Sequence, residues 1–158
     1  MYHVISTLVE NKPGVLQKVA GLFNRRDFNI ESITVGKSEV EGLSRMVITV
    51  KADEKGLEQV IKQLNKLVDV FKVKDITSEA VKRELCLIKV NVANAKARAE
   101  IMQYTNIFRA KIVDVTDESL MIEITGDMEK ITPFISLLEN YGIKKISRTG
   151  LTAMARGV

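Results

Sequence analysis

The segment at residues 10–16, Glu-Asn-Lys-Pro-Gly-Val-Leu, has the residue types and spacing to bind a small carboxylate. It separates a run rich in β-branched residues, 2–9, from an amphipathic helical pattern, so we predict a strand-to-helix turn. The first N–H groups of a helix have no partner inside the helix, and the helix dipole favours negative charge there. Gly14 has no side chain to hold a ligand away, and Asn11 can cap the helix or turn its amide outward. The alternative is that these residues form only a turn.

The sequence contains no recognisable catalytic motif. It has no Gly-rich phosphate loop and no Gly-x-Ser-x-Gly elbow, and its one histidine, His3, offers little acid–base chemistry. The acidic residues at 114, 117 and 118 fit a solvent-facing hairpin turn. No His/Cys cluster has metal-binding spacing. We therefore predict that this chain is not itself an enzyme and holds no metal.

Composition indicates a globular protein without nucleic-acid or membrane partners. Hydrophobic residues make up 46% of the 158 residues, and the net charge of +4 comes from mixed charges with no basic block. RNA-binding sheets carry aromatic residues on their central strands, and the strand candidates 45–51 and 85–92 contain none. The single cysteine, Cys86, excludes an internal disulfide, and its alternation with apolar residues places it in a core. With no signal-peptide or bilayer-spanning run, we expect a cytoplasmic protein.

Hydrophobic periodicity in the first half predicts the element order β-α-β-β-α-β. Strands are expected at 2–9, 29–35, 45–51 and 68–76, and helices from residue 15 and over 53–66. This order is typical of a ferredoxin-like unit, in which two helices cover one face of a four-stranded antiparallel sheet. The other sheet face then needs a cover, which favours self-association.

The second half repeats this pattern. Met46-Val-Ile-Thr-Val precedes Asp53-Glu-Lys and a helix, and Met121-Ile-Glu-Ile-Thr precedes Asp127-Met-Glu-Lys and a helix. Strands are expected at 85–92, 110–115, 120–125 and 143–151, with helices at 96–108 and around 131–138. We therefore predict an α+β fold of two ferredoxin-like βαββαβ units: an N-terminal domain at 1–76, a linker at 77–83 and a C-terminal domain at 84–158.

Several blocks of sequence resemble a known family. The first half is similar to an ACT domain, a ferredoxin-like module that binds amino acids and regulates metabolic enzymes. The blocks below resemble the small, regulatory subunits of acetolactate synthase, also called acetohydroxyacid synthase, over almost the whole chain. They are Asn11-Lys-Pro-Gly-Val-Leu, Gly21-Leu-Phe-Asn-Arg-Arg, Asn29-Ile-Glu-Ser-Ile-Thr-Val, Leu43-Ser-Arg-Met, Gln63-Leu-Asn-Lys-Leu-Val-Asp-Val and Phe108-Arg-Ala-Lys-Ile-Val-Asp-Val.

The resemblance implies a regulatory role in branched-chain amino acid biosynthesis. This chain would be non-catalytic, would activate a large catalytic subunit and would confer feedback inhibition by valine or another branched-chain amino acid. Thiamine diphosphate, magnesium and FAD would reside on the large subunit and none on this chain. The alternative is a stand-alone amino-acid-sensing ACT protein that regulates a different enzyme or transcription.

The resemblance also implies where the amino acid binds. Two ACT domains would form a homodimer with the effector between them. Asn11, Gly14, Val15 and Leu16 would hold its carboxylate and side chain, and Asn29 and Ile30 would come from the neighbouring chain. For Leu16 and Ile30 the alternative is ordinary core packing. The second half has Asn91-Val-Ala-Asn-Ala-Lys at the equivalent turn, which restricts the expected site to the first half.

Overall fold

A four-stranded antiparallel sheet and two helices make up the first of two units in the computed structural model, which describes residues 1–157. The elements are β1 (Tyr2–Glu10), α1 (Val15–Arg25), β2 (Ile30–Lys37), β3 (Leu43–Lys51), α2 (Glu54–Leu64) and β4 (Val70–Asp75). The strand order is β2-β3-β1-β4. This is the predicted βαββαβ order.

The core of this unit lies between the helices and one sheet face. Ile5 pairs with Ile48 across β1 and β3, and both are fully buried. The apolar stripes of α1 and α2 cover them, because side chains three or four residues apart share one face of a helix. Asp53 begins α2, and its carboxylate accepts a hydrogen bond from the Gly56 N–H at 2.7 Å.

The second unit has the same order of elements. It contains most of β5 (Ala80–Asn91), then α3 (Ala95–Ile107), β6 (Lys111–Val115), β7 (Ser119–Gly126), α4 (Met128–Glu139) and β8 (Ile143–Arg148). The strand order is β6-β7-β5-β8. Cys86 is fully buried in its core, as the alternation predicted. The α+β fold of two ferredoxin-like units is therefore confirmed.

Two predicted boundaries differ from the structure. The predicted linker at 77–83 is strand from Ala80 on, because β5 begins there. The predicted last strand, 143–151, ends at Arg148, and a further strand, β9 (Thr152–Ala155), pairs with β5. Gly150 has a φ of +83°, a left-handed conformation that glycine adopts without strain, and it redirects the chain between the two strands.

The residues from 151 to 157, here called the C-terminal segment, belong to the first unit, whereas the sequence assigned them to the C-terminal domain. Leu151 packs against Val4 and Val47 on the sheet face that the helices leave open, and it is 6% exposed. Its N–H donates to Ser32 Oγ at 3.2 Å, and its carbonyl accepts from Thr34 Oγ1 at 3.3 Å. The chain therefore covers part of the open face by itself.

Candidate functional site

The link between β1 and α1, residues 11–14, is here called the β1–α1 turn. Gly14 immediately precedes the helix with a φ of +89°, and a Cβ built on it would meet no atom within 4 Å. No side chain caps α1, so the cap that Asn11 could have supplied is not formed, and the Asn11 side chain is exposed. The Asn11 N–H instead donates to the Gly42 carbonyl at 2.9 Å. The turn thus presents open backbone and a free amide side chain.

The first turn of α1 has backbone donors to offer. The Lys18 N–H donates to the Gly14 carbonyl at 3.0 Å, which begins the helical hydrogen bonds. The preceding N–H groups, those of residues 15–17, have no carbonyl one turn earlier within the helix. No acidic residue lies in this first turn, so no carboxylate of the helix itself competes for these donors. A ligand carboxylate is the natural partner for such a helix start.

Val15 and Leu16 have different environments. The Val15 side chain is 3% exposed and packs in the core, so only its backbone N–H faces the turn. Leu16 is 50% exposed, so the alternative of ordinary core packing does not apply to it. Leu16 therefore offers an apolar side chain beside the helix start without a role in the core.

Asn29 and Ile30 lie at the opposite end of the sheet from the β1–α1 turn. Ile30 pairs with Val50, and Val50 pairs with His3 near the start of β1, whereas the turn follows Glu10 at its end. About seven residues of extended strand separate the position of Ile30, level with His3, from the turn after Glu10, a distance of roughly 24 Å. Asn29 is exposed, and Ile30 is half-buried against the core. Within one chain, these residues and the turn do not form one pocket.

Asp69, which the sequence analysis did not single out, fixes the turn. Its side chain is only 5% exposed and accepts hydrogen bonds from Lys18 Nζ at 2.7 Å and Lys12 Nζ at 3.0 Å. Lys12 also pairs with Glu10 at 2.7 Å, and the Glu10 N–H donates to the Asp69 carbonyl at 2.9 Å. Two lysines thus balance two carboxylates, so this cluster adds no net negative charge that would repel a carboxylate ligand. The signal in the sequence is an acidic residue between two valines, at 68 and 70.

The ionisation of Asp69 makes this cluster sensitive to acid. Hydrogen bonds from Lys18 and then from Lys12 lower the pKa of Asp69 from 3.8 to about 2. The resulting stabilisation is complete above the unfolded-state pKa near 3.8, and is lost as the pH falls through about 2. We expect Asp69→Asn to lower the urea midpoint of the first unit at pH 7. Near pH 2 the variant and the unmodified chain should have similar urea midpoints.

Glu58→Gln, on the exposed surface of α2, is the matched control for this pH prediction because it removes one carboxylate outside the cluster. Its urea midpoint should stay close to that of the unmodified chain at both pH values. A gap for Asp69→Asn that persists unchanged at pH 2 would contradict the assignment of the effect to the Asp69 charge.

The equivalent turn of the second unit is built differently. Asn94 precedes α3 in an extended conformation, and its side chain accepts a hydrogen bond from the Ala97 N–H at 2.8 Å. A protein side chain therefore already occupies one of the helix-start donors there.

Across residues 1–157, no group of three or more His, Cys, Asp or Glu side chains could hold a metal, and no helix is long and apolar enough to cross a membrane.

Comparisons with known proteins match the whole length of the chain. A family described as "AHAS small subunit-like ACT domain" matches residues 5–72, and one described as "Small subunit of acetolactate synthase" matches residues 83–157. The probable acetolactate synthase small subunit of Methanothermobacter thermautotrophicus is 60% identical over 156 residues, or 98% of this chain and 93% of that protein. The corresponding protein of Archaeoglobus fulgidus is 59% identical over 157 residues, or 99% of this chain and 98% of that protein. The crystal structure of the acetolactate synthase small subunit from Thermotoga maritima superimposes with a TM-score of 0.91 at 51% identity, covering 100% of this chain and 99% of that one.

Proposed function

Because the chain belongs to the acetolactate synthase small subunits, we propose that it activates the large catalytic subunit of that enzyme and confers feedback inhibition by a branched-chain amino acid. The observation that carries this proposal is the full-length match to that family, which includes both units. In this proposal the large subunit holds thiamine diphosphate, magnesium and FAD and performs catalysis. This chain supplies regulation alone.

The β1–α1 turn would bind the amino acid effector. The free N–H groups at the start of α1 suit its carboxylate, and the side-chain oxygen of Asn11 suits its ammonium group. The exposed Leu16 side chain suits a branched aliphatic group. These three features sit at one turn and match the three parts of valine, leucine or isoleucine.

The second half of the pocket would come from a second copy of the chain. β2 is an edge strand, and its start, with Asn29 and Ile30, lies at the opposite end of the sheet from the turn. Antiparallel pairing of two β2 edges would bring the start of one β2 to the level of the other copy's turn. This geometry supports a homodimer through the ACT domains, with the effector shared between copies.

The shared pocket would couple effector binding to the activity of the large subunit. An effector that binds both copies favours the dimer arrangement in which the pocket is complete, and it inhibits if that arrangement disfavours the active large subunit. The expected coupling free energy is about 1–3 kcal/mol, the usual range for allosteric pairs.

Reconstitution tests the proposal directly. The purified chain is mixed with the large subunit, and acetolactate formation is measured with and without valine, leucine or isoleucine, alongside calorimetric titration of the isolated chain with each amino acid. We expect activation on mixing, and inhibition by at least one amino acid that also binds the isolated chain. Absence of activation would refute the role as this enzyme's subunit. Binding with no activation would instead favour the stand-alone sensor.

Leu16→Ala tests the side-chain part of the pocket. The variant should bind the effector about fivefold more weakly, because it removes an apolar contact worth about 1 kcal/mol. Its urea midpoint should barely change because Leu16 is half-exposed. Val15→Ala is the control variant, for which the converse result is expected. It should destabilise the fold by about 1–2 kcal/mol through loss of core packing and leave the affinity for the effector nearly unchanged. The reverse pattern in calorimetry and urea unfolding would show that the two side chains have been assigned the wrong roles.

A further inference from the structure

The sheet face of the first unit that lies away from the helices has two chemically different halves. Val4, Ser6 and Leu8 point to this face, because side chains alternate along β1. Around Val4 the face is apolar, and the C-terminal segment covers it. Around Leu8 it is cationic, because Leu8 pairs with Arg45 on β3 and with Lys72 on β4. The chain does not cover this second half to the same extent.

Arg45, Lys72 and Lys74, here called the cationic face, line an open cavity of about 500 Å³. Leu8, Ile76 and Met154 supply its apolar lining, and Met154 is 62% exposed. The surface is therefore an apolar floor edged by positive charge. That combination fits a partner segment that carries both an apolar side chain and carboxylates.

The positive charge of this face is only partly balanced within the chain, by Glu39, which also lines the cavity. Glu39 pairs with Arg45 at 2.9 Å, and the pKa of Glu39 is lowered, chiefly by that hydrogen bond and in part by the charge of Lys72. Neither Lys72 nor Lys74 forms an ion pair among residues 1–157. Two lysine charges beside an apolar floor remain available to an acidic partner.

A second copy of this chain is a poor occupant. Symmetric pairing would place the lysines of one face against the same lysines of the other, and like charges at close range are destabilising. The proposed ACT dimer uses the β2 edge and leaves this face free. A different, acidic protein surface therefore fits better.

We propose that the cationic face docks an acidic segment of the large catalytic subunit, with an apolar side chain of that segment seated between Leu8 and Met154. This inference rests on the proposed function, which supplies a large subunit as partner. It adds the surface by which the ACT unit meets that partner, on the sheet face opposite the two helices and at the same end of the sheet as the β1–α1 turn. A regulatory subunit with this arrangement can contact its enzyme and its effector at the same time.

The test compares two charge reversals of equal size. Lys72→Glu with Lys74→Glu changes the cationic face, while Lys62→Glu with Lys66→Glu changes exposed positions in and just after α2. Affinity for the immobilised large subunit is measured at several salt concentrations, and effector binding to each variant is measured by calorimetry. The face variant should bind the large subunit about tenfold or more weakly at ~0.1 M salt, and the α2-side variant within about twofold of the unmodified chain. Effector affinity should be unchanged in both.

Lys72→Ala with Lys74→Ala, which removes charge without reversing it, provides a second variant and should weaken binding in the same direction. If both face variants bind the large subunit as tightly as the unmodified chain does, the inference is overturned. The proposed function would still be supported, because the unmodified chain binds the large subunit. If the unmodified chain itself fails to bind the large subunit, both fall together. Altered self-association of the face variants in sedimentation, with assembly intact, would instead make this face an interface between copies and would also overturn the inference.

Discussion

Gly14→Asp should weaken effector binding by about 100-fold or more while the chain remains folded. The new carboxylate would occupy the helix-start donors that we assign to the ligand, and each lost charge-assisted hydrogen bond is worth about 1.5–3 kcal/mol. The fold should tolerate the change because a Cβ at this position meets no atom within 4 Å. The left-handed φ of +89° adds strain of about 1 kcal/mol for a residue other than glycine, and aspartate adopts that region more readily than most residues. Calorimetric titration with the effector identified for the unmodified chain measures the loss.

Gly14→Asn separates charge from strain in this experiment. Asparagine has nearly the same shape as aspartate and the same backbone restriction, yet it has no negative charge to compete with the ligand. It should therefore retain much more of the affinity than Gly14→Asp does. Unchanged affinity in Gly14→Asp would show that the effector binds at another turn, and equal losses in both variants would show that the backbone, not the charge, decides binding.

Leu151→Ala should lower the free energy of unfolding of the first unit by about 2–3 kcal/mol, the lower part of the range for a buried leucine. Leu151 is 6% exposed and covers Val4 and Val47 on the open sheet face, so the truncation leaves a cavity above the sheet. Met154→Ala is the matched control, because Met154 belongs to the same segment but is 62% exposed, and it should cost less than about 0.5 kcal/mol.

The effect of Leu151→Ala can be localised. Two units need not unfold together, so a single urea transition is an incomplete measure, and hydrogen exchange of the β1 and β3 amides reports on the first unit directly. Faster exchange there, with exchange in β5–β8 residues 84–148 little changed, is the expected pattern. Equal effects of Leu151→Ala and Met154→Ala would contradict the role of the C-terminal segment as a cover.

Local patterns in the sequence were sufficient to predict the helices and strands of both units except β9. Alternation through Cys86, Ile88 and Val90 predicted a strand with one buried face, and all three are fully buried. The repeated Asp-x-x after a strand, at Asp53 and Asp127, preceded helices that these residues cap. Such signals are local, since the period of apolar residues depends only on the geometry of the element itself.

Contacts between distant parts of the chain were not predictable in this way. Asp69 is 51 residues from Lys18, and the sequence around either residue does not predict the 2.7 Å hydrogen bond between their side chains. The C-terminal segment reaches Ser32 across 119 residues, and its four-residue strand is too short for its periodicity to be distinctive. Both contacts arise because sheet order and chain direction bring distant elements together.

The sequence by itself indicated the family, the two ferredoxin-like units and the strand-to-helix turn that we propose as the effector site, because each is encoded in local residue types and their spacing. Only the tertiary structure decided that Leu16 rather than Val15 presents a side chain beside that turn, since a helix stripe does not by itself define where the core ends. It also decided that Asn29 and Ile30 lie at the far end of the sheet, because strand register is set by pairing across the sheet. The same long-range packing brought the C-terminal segment over the apolar half of the open face and left the cationic half available to a partner.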